Sequence, residues 1–277
     1  MSSNHRLLFG CVLGLPLLAG GLLVLAEDNV FGAAVALVLN MAAVACAFAA
    51  ISARITGSRT GFALSGLNRY SLSRLQLVAW TVLVVGLLLT VVEWNLLLHR
   101  PTEAQGLLGI TVPPNVLVLL GIALGSGVVA PALISLRAAT SGGTSDAELA
   151  AAKDRKQGLA SQTGQASADT SVVRAGGRIV GNASPAGATW TDLFTGEDVA
   201  ITGRVDISKV QQAIITLFLL CAYFAAAVAS LDAKASISTL PDLGRGLVDL
   251  LAFSHAGYLA YKVVPKTSPE PPATQPN

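Results

Sequence analysis

Six long apolar segments constrain the fold of this chain more than any other feature. Each is close to the roughly 20 residues that a helix needs to cross a bilayer, and the first five contain no charged residue. Only 12% of all residues are charged, about half the share found in an average soluble domain. The sequence therefore predicts an all-α integral membrane protein with about six transmembrane helices, over residues 7–26, 30–51, 75–92, 116–134, 210–231 and 246–264.

The basic residues are distributed unevenly between the connecting segments. If the N-terminus is cytoplasmic, 15 of the 18 Lys and Arg residues lie on the cytoplasmic side, which agrees with the positive-inside rule. This predicts a protein of the bacterial inner (plasma) membrane with both termini in the cytoplasm. One alternative stays open, because the first segment and its end at Val24-Leu25-Ala26 also resemble a cleavable signal peptide.

The third and fifth segments begin with a similar motif, Ser73-Arg74-Leu75-Gln76 and Ser208-Lys209-Val210-Gln211. A proline-containing outer turn and a returning apolar segment follow each copy, which predicts an internally duplicated two-helix hairpin with parallel copies. The chain then divides into an N-terminal transmembrane hairpin, a basic cytoplasmic linker, a first repeat hairpin, a mostly disordered cytoplasmic loop, a second repeat hairpin and a disordered tail, at 1–52, 53–74, 75–137, 138–205, 206–265 and 266–277.

The repeated motif has two interpretations. In the first, each serine caps its helix and the glutamine three residues later completes a capping box. In the second, Gln76 and Gln211 face each other across the pseudo-twofold axis and line a polar path. Glycine pairs at four-residue spacing, Gly10 with Gly14 and Gly121 with Gly125, predict close helix packing, either within one chain or in a homo-oligomer.

The last segment carries a polar stripe of His255, Tyr258 and Lys262, which share one helix face. Ionisable groups inside a membrane are costly and therefore mark candidate functional positions. His255 is interpreted as a neutral structural hydrogen-bonding group, as a pH-sensitive switch or relay, or as a ligand. The chain has no second His or Cys at metal-ligand spacing, so no metal site and no cofactor is predicted.

The cytoplasmic loop at 138–205 is rich in Gly, Ser, Ala and Thr, a composition typical of disorder. A short helix is predicted from Asp146, and an aromatic island at 189–199 predicts a short amphipathic helix near 190–196. Trp190, Leu193 and Phe194 form its apolar face, which would lie on the membrane surface or bind a cytoplasmic protein partner.

No enzyme motif is present in the sequence: it lacks a P-loop, a dinucleotide-binding glycine pattern, HExxH and a nucleophile elbow. The net charge of +2 argues against a nucleic-acid partner. The sequence therefore predicts a non-enzymatic membrane protein that acts as an anchor, scaffold or sensor for a cytoplasmic or membrane assembly. The alternative is a small transporter or channel that uses the polar stripe.

Four motifs resemble those of a family of uncharacterised bacterial multi-pass membrane proteins with a duplicated hairpin and a C-terminal LLGISHAGYL-x-YK signature. They are Tyr70–Gln76, the 190–199 island, Val205–Gln211 and Ser254–Lys262. The chain departs from the family pattern at Ala252-Phe253 and at Gln212-Ala213. The resemblance implies the hairpin architecture and a bacterial inner membrane, and it implies no catalytic residues.

Overall fold

The computed structural model describes residues 3–26, 30–98, 109–164, 171–231, 236–264 and 266. Within these ranges the chain is mostly helical. Seven α-helices and one short hairpin of strands follow in the order α1 (Ser3–Ala26), α2 (Val30–Thr56), α3 (Leu72–Leu97), α4 (Pro114–Thr140), α5 (Asp146–Gln162), β1 (Val172–Gly176), β2 (Ile179–Asn182), α6 (Ile207–Ser230) and α7 (Arg245–Val263). The predicted tail falls outside the described residues except for Lys266.

A helix lies over each of the six predicted membrane segments. Four of these helices, α2, α3, α4 and α6, are long and apolar enough to cross a bilayer. In α1 the described apolar stretch is Gly10–Leu25, which is shorter, and α7 is less apolar because it contains Asp249, His255 and Lys262. The helical membrane-protein class is thus supported, while the crossings by α1 and α7 stay predictions.

The chain divides into two compact units. Unit 1 comprises residues 1–62, 75–124 and 214–253, and its core is almost entirely apolar. Trp80 and Trp94 from α3 and Tyr223 from α6 are its largest buried side chains, and the rings of Trp80 and Tyr223 lie 6.3 Å apart in a tilted arrangement. Because large aromatic side chains remove the most apolar surface from water or lipid contact, they dominate the packing of this unit.

The segments that precede α4 and α7 in unit 1 pair through their backbones. Thr111 and Thr239 form a parallel bridge, in which Thr111 N–H donates to Ser238 O at 2.7 Å and Leu240 N–H donates to Thr111 O at 3.0 Å. The side chain of Asn95 adds a second tie, since it donates to Ile237 O and accepts from Ile237 N–H, both at 2.8 Å. The loops are therefore joined to α3 and to each other by satisfied backbone groups.

The close helix contacts of unit 1 differ from those predicted by the glycine spacing. A Cβ atom on Gly10, Gly14, Gly121 or Gly125 would meet no atom within 4 Å, so these four glycines do not mark tight crossings within the chain, and their packing in a homo-oligomer stays a prediction. A Cβ on Gly86 of α3 would instead lie 2.7 Å from Met41 Cγ and 3.0 Å from the Met41 backbone of α2. Gly86 has no glycine four residues before or after it, so the spacing of glycine pairs did not predict this contact.

We expect Gly86→Ala to destabilise the protein by about 1–3 kcal/mol, since the added methyl group overpacks against the α2 backbone, which cannot rotate away. The thermal unfolding midpoint in detergent measures this effect. Gly121→Ala is the matched control, because its new methyl group meets nothing within 4 Å. Equal midpoints for the two variants would contradict the close approach at Gly86.

Unit 2 comprises residues 63–74, 125–213 and 254–277, and it contains most of the loop predicted to be disordered. The described parts of 138–205 instead contain α5, the antiparallel β1–β2 hairpin and two short 3₁₀ turns at Pro185–Gly187 and Trp190–Phe194. A small apolar core of Leu149, Ala152, Val172, Val180 and Val199 joins these elements. Composition alone predicted disorder because this segment has few apolar residues. A core of this size needs only a few.

The short helices of unit 2 are capped. Helix α5 begins at Asp146 as predicted, with Ser145 and Glu148 forming a capping box. The predicted amphipathic helix near 190–196 is a 3₁₀ helix over Trp190–Phe194, in which Thr189 is the cap and Asp192 completes the capping box. These caps satisfy amide groups that would otherwise lack partners at the ends of short helices.

The S-[RK]-x-Q motifs do not cap α3 and α6. Each serine is the second residue of its helix. At α6 the cap is Asp206, whose Oδ1 accepts from the N–H groups of Ser208 and Lys209 and from the Ser208 hydroxyl. At α3 the Ser73 hydroxyl donates to the Tyr258 hydroxyl at 3.3 Å. The capping-box interpretation of these motifs is therefore wrong.

Candidate functional site: a buried ionic cluster

Five charged side chains of unit 2 form one buried network, called here the ionic cluster: Arg69, Asp192, Glu197, Lys209 and Lys262. Four of them have side chains that are at most 5% exposed, and the Glu197 side chain is 18% exposed. Buried charges are expensive unless they are paired and hydrogen-bonded. Removing one charge from the cluster is therefore expected to destabilise unit 2.

Glu197 is the centre of the cluster. Its carboxylate lies 2.8 Å from Lys209 Nζ, and each of its oxygens lies 2.9 Å from Lys262 Nζ. The backbone holds it in place, since Glu197 O accepts from Val180 N–H of β2 at 3.0 Å. Gly196 precedes it, and a Cβ there would meet the Ile201 side chain at 2.2 Å. The loop can approach this closely because residue 196 has no side chain.

The charges around Glu197 keep it ionised. Burial by itself raises the pKa of this carboxyl, but the positive charges of Lys209, Lys262 and Arg69 outweigh that effect and hold its pKa well below the usual range. The carboxylate thus serves as the shared counter-ion of two lysines.

Arg69 reaches the cluster from a tight turn. Ser65 N–H donates to Arg69 O at 2.8 Å, and Asn68 adopts a positive φ of 53°, a conformation that asparagine tolerates better than most residues. Asn182 fixes this turn to β2 through hydrogen bonds with Leu67 O and Asn68 O. Arg69 then donates to Asp192 Oδ1 at 3.2 Å and to Thr195 and Gly196.

Lys209 lies in the first turn of α6 and is 2% exposed. Its Nζ donates to the carbonyl oxygens of Asp192 at 3.3 Å and Thr195 at 2.6 Å, in addition to Glu197. All three donors of the ammonium group are thereby used. Lys209 therefore joins the 3₁₀ turn, the Glu197 loop and the start of α6.

A second buried carboxylate lies next to the cluster. The Asp198 side chain is fully buried and pairs with Arg137 at 2.5 Å, and Arg178 Nε lies 3.7 Å away. Asp198 also accepts from Ala200 N–H at 3.0 Å. Glu197 and Asp198, which are adjacent in the chain, thus each form ion pairs with basic residues from other elements of unit 2.

A small cavity of about 170 Å³ adjoins the ionic cluster. One wall is polar, with Arg69, Glu197, Tyr258 and Lys262, and the other includes Ala130, Pro131 and Ile134 of α4. Pockets for drug-sized ligands measure about 300–1,000 Å³, so this one suits a few waters or a small ion. Its residues supply no nucleophile with an adjacent base, and the geometry is that of a structural ion-pair network.

Comparison of this chain with protein-family models, curated proteins and solved structures finds no match. Among the residues that the structure describes, no group of three or more His, Cys, Asp or Glu side chains could hold a metal ion. The argument for function therefore rests on the geometry of this chain alone.

Tyr258 and Lys262 of the predicted polar stripe lie together beside the ionic cluster, whereas His255 has different surroundings. Lys262 pairs with Glu197, and Tyr258 accepts from Ser73, while Lys262 Nζ also lies 4.8 Å from the Tyr258 ring centre. His255 is 3% exposed, and neither of its ring nitrogens has a hydrogen-bond partner among the described residues. Lys262 is buried in the cluster, although a lysine near the end of a membrane helix can extend toward the lipid headgroups.

The two glutamines of the repeated motif have different surroundings. Gln76 Nε2 donates to Thr216 Oγ1 of α6 at 2.8 Å, within unit 1. The Gln211 side chain is exposed, and it is the next residue, Gln212, that is buried. Gln76 therefore acts as a link between two helices, and the sequence match to Gln211 does not extend to burial.

The predicted docking residues also divide. Trp190 is 46% exposed and stacks on Tyr70 with ring centres 4.5 Å apart, and Phe194 is 39% exposed. Leu193 is buried at 5% exposure and belongs to the interior of unit 2. Two of the three residues are thus available at the surface, and they lie on the 3₁₀ turn that the ionic cluster supports.

Sequence reasoning missed four members of the ionic cluster: Arg69, Asp192, Glu197 and Lys209. It selected the 189–199 island for its aromatic residues, although that island also carries Asp192, Glu197 and Asp198. Three acidic residues so close together in a weakly charged chain were the available signal, because such residues need basic partners when the segment folds.

Proposed function

We propose that this protein is a non-enzymatic, multi-pass protein of the bacterial inner membrane that anchors a folded cytoplasmic unit and presents it to a protein partner. The observation that carries the proposal is an exposed surface formed by Trp190, Phe194 and Val205, called here the aromatic surface. The buried ion pairs of the ionic cluster hold the 3₁₀ turn that carries Trp190 and Phe194. Exposed aromatic side chains on rigid backbones are typical anchors of protein interfaces.

The aromatic surface is preorganised. Asp206 N–H donates to Phe194 O at 2.8 Å, and Thr195 and Val205 form a bridge, so Phe194 and Val205 lie on adjoining backbone segments. The capping box of Thr189 and Asp192 fixes the turn that carries Trp190. Because these side chains are ordered before binding, a partner would lose little conformational entropy on their account.

The membrane anchoring is supported by four long apolar helices and by the excess of Lys and Arg in the segments assigned to the cytoplasm. We extend this to six crossings with both termini cytoplasmic. The resemblance of the motifs Tyr70–Gln76 and Ser254–Lys262 to those of a bacterial membrane-protein family belongs to the same proposal.

The duplicated hairpin is supported by the outer loops. Both contain Thr-x-Pro, at Thr111–Pro113 and Thr239–Pro241, and the two threonines form the parallel bridge. A twofold axis that runs along two extended segments relates them as a parallel pair with equivalent residues opposite each other. We therefore propose that α3–α4 and α6–α7 are the two copies, with α1–α2 as an added hairpin.

We expect a photoreactive residue at position 194 to crosslink to a discrete protein in intact cells, because Phe194 lies in the aromatic surface. Crosslinked products are identified by mass spectrometry. Adding Trp190→Ala should reduce the yield about tenfold, since interface aromatics typically contribute 1–2 kcal/mol or more.

The matched control places the same photoreactive residue at Val173 of β1, which is 40% exposed, as Phe194 is 39% exposed. Equal protein crosslinks from both positions would indicate nonspecific encounters and contradict the proposal. Crosslinks from position 194 to lipid alone would assign the aromatic surface to the membrane interface.

A small transporter or channel is the second candidate function. The observation in its favour is His255, a buried ionisable side chain whose ring nitrogens lack hydrogen-bond partners among the described residues. Against it, Tyr258 and Lys262 are held in hydrogen bonds and ion pairs. Solute or proton flux into reconstituted liposomes that depends on His255 would favour the transporter or channel over the anchor.

A further inference from the structure

Glu93 is a carboxylate inside an apolar helix of unit 1. It lies in α3, and Asn40 Nδ2 of α2 donates to its Oε2 at 2.8 Å. Asn40 is ten residues from the start of α2 at Val30, about 15 Å along the helix axis, or about half of the roughly 30 Å hydrocarbon thickness. The Glu93 carboxylate therefore contacts α2 ten residues from its start, while Glu93 itself lies four residues before the end of α3 at Leu97.

The hydrogen bonds around Glu93 leave acceptors unused. Asn40 donates to Thr90 Oγ1 at 3.0 Å as well as to Glu93, and the Thr90 hydroxyl donates to Gly86 O at 2.9 Å. Asn40 Oδ1 is buried and has no hydrogen-bond partner among the described residues. Every donor of this trio is used, whereas Asn40 Oδ1 and the second Glu93 oxygen remain as acceptors. The site therefore suits a positively charged group.

No basic side chain of the described part of unit 1 pairs with Glu93. An isolated ionised carboxylate in an apolar medium is costly, so it either takes up a proton or pairs with a cation. A hard metal ion would need several further oxygen ligands. An organic cation that brings its own apolar surface needs no such further ligands.

An apolar groove of about 640 Å³ lies beside Glu93. Leu97 and seven residues of α1 line it, among them Leu13, Pro16, Leu17 and Gly21, and Glu93 is the only ionisable lining residue in the part of the chain that the structure describes. The volume falls within the usual range for small-molecule pockets. The groove thus combines a large apolar surface with a single negative charge.

We propose that this groove binds a hydrophobic organic monocation, whose charge pairs with Glu93 and whose apolar body lies against α1. The proposal goes beyond the partner-docking function and does not depend on it, because it concerns unit 1 alone. Charge complementarity identifies the occupant: an apolar groove without Glu93 would favour lipid chains or neutral molecules equally.

The test measures binding of tetraphenylphosphonium to the purified full-length protein in detergent by equilibrium dialysis. We expect Glu93→Gln to raise the Kd at least about tenfold, equivalent to about 1.4 kcal/mol. The Gln side-chain oxygen can still accept from Asn40, so the fold should be kept, and an unchanged thermal midpoint checks this. Asp249→Asn removes an exposed carboxylate of the same unit and should leave the Kd unchanged.

A second variant tests the groove itself. A Cβ on Gly21 meets nothing within 4 Å, and Gly21 lines the groove, so Gly21→Leu should fill the space and weaken binding while Glu93 stays intact. Gly14→Leu is the control, because Gly14 is equally open but is not a lining residue.

Three outcomes would overturn the proposal. Equal affinity for tetraphenylphosphonium and for tetraphenylborate, an anion of nearly the same shape, would show that charge has no role. An unchanged Kd for Glu93→Gln would show the same. A copurified phospholipid that native mass spectrometry detects in the wild type and that tetraphenylphosphonium does not displace would assign the groove to lipid.

Discussion

Glu197→Gln is expected to destabilise the protein by about 3–5 kcal/mol, because it removes the carboxylate that Lys209 and Lys262 share and leaves both ammonium groups buried with an uncompensated charge. The substitution preserves the size of the side chain, so packing is hardly changed. The measurement is the free energy of unfolding in detergent at pH 7, with the thermal midpoint as a second readout.

Two controls make this expectation specific to the ionic cluster. Asp146→Asn breaks an ion pair whose carboxylate is 96% exposed, and solvent screening limits such pairs to about 0–1 kcal/mol. The double variant Glu197→Gln with Lys209→Met should recover part of the loss, since an apolar side chain replaces an unpaired charge. A Glu197→Gln variant as stable as Asp146→Asn would contradict the role of Glu197.

The same ion pairs predict how the stability difference depends on pH. Because the folded-state pKa of Glu197 is held well below its usual range, the unfolded chain takes up the proton first, near the ordinary glutamate value of about 4.3. The contribution of Glu197 is complete above that pH and is lost as the pH falls toward the folded-state pKa. The difference in the free energy of unfolding between wild type and Glu197→Gln should therefore shrink as the pH falls below about 4.

The sequence was sufficient to predict where the helices lie, but it was insufficient to predict which residues make the contacts between them. Long segments without a charged residue predict helices because a bilayer excludes unpaired backbone groups, and a helix lies over each predicted segment. The helix-packing glycine was harder to find. Gly121 and Gly125 have the expected spacing but open surroundings, whereas Gly86 contacts Met41 without a paired glycine. Spacing along one helix does not reveal which face meets a neighbour.

The candidate site was only partly predictable for a related reason. Tyr258 and Lys262 stood out because ionisable or polar groups in an apolar segment are conspicuous. Arg69, Asp192 and Glu197 lie in connecting segments, where charged residues are ordinary, and their partners are distant in the chain. Low hydrophobicity predicted disorder for 138–205 because it takes no account of the hydrogen bonds and ion pairs that join Arg69 to Asp192 and Glu197 to Lys209 and Lys262.

Asp192 connects the stability of unit 2 to the proposed docking function. Its Oδ1 accepts from Arg69 Nε at 3.2 Å and its Oδ2 accepts from Thr189 N–H at 3.0 Å. Asp192→Ala removes both, leaving Arg69 without its carboxylate partner and a buried amide without an acceptor. We expect a loss of about 3–5 kcal/mol, measured by unfolding in detergent.

Asp192→Asn separates the two contributions. The asparagine side-chain oxygen can still accept from Thr189 N–H, so this variant should lose the charge pairing with Arg69 and retain the cap of the 3₁₀ turn. In a double-mutant cycle, Arg69→Met with Asp192→Asn should recover part of the stability, with a coupling energy of about 0.5–3 kcal/mol. Additive effects would show that the Arg69–Asp192 pair does not act as a unit.

In Asp192→Ala, the aromatic surface should therefore lose its order before the rest of the chain unfolds. Hydrogen exchange of residues 189–199 should increase in Asp192→Ala and much less in Asp192→Asn, because only the former loses the cap. The crosslinking yield from position 194 should fall in the same order. A normal yield from Asp192→Ala with raised exchange would mean that the partner binds Trp190 and Phe194 without needing the rigid turn, so that affinity comes from the side chains and not from their preorganisation.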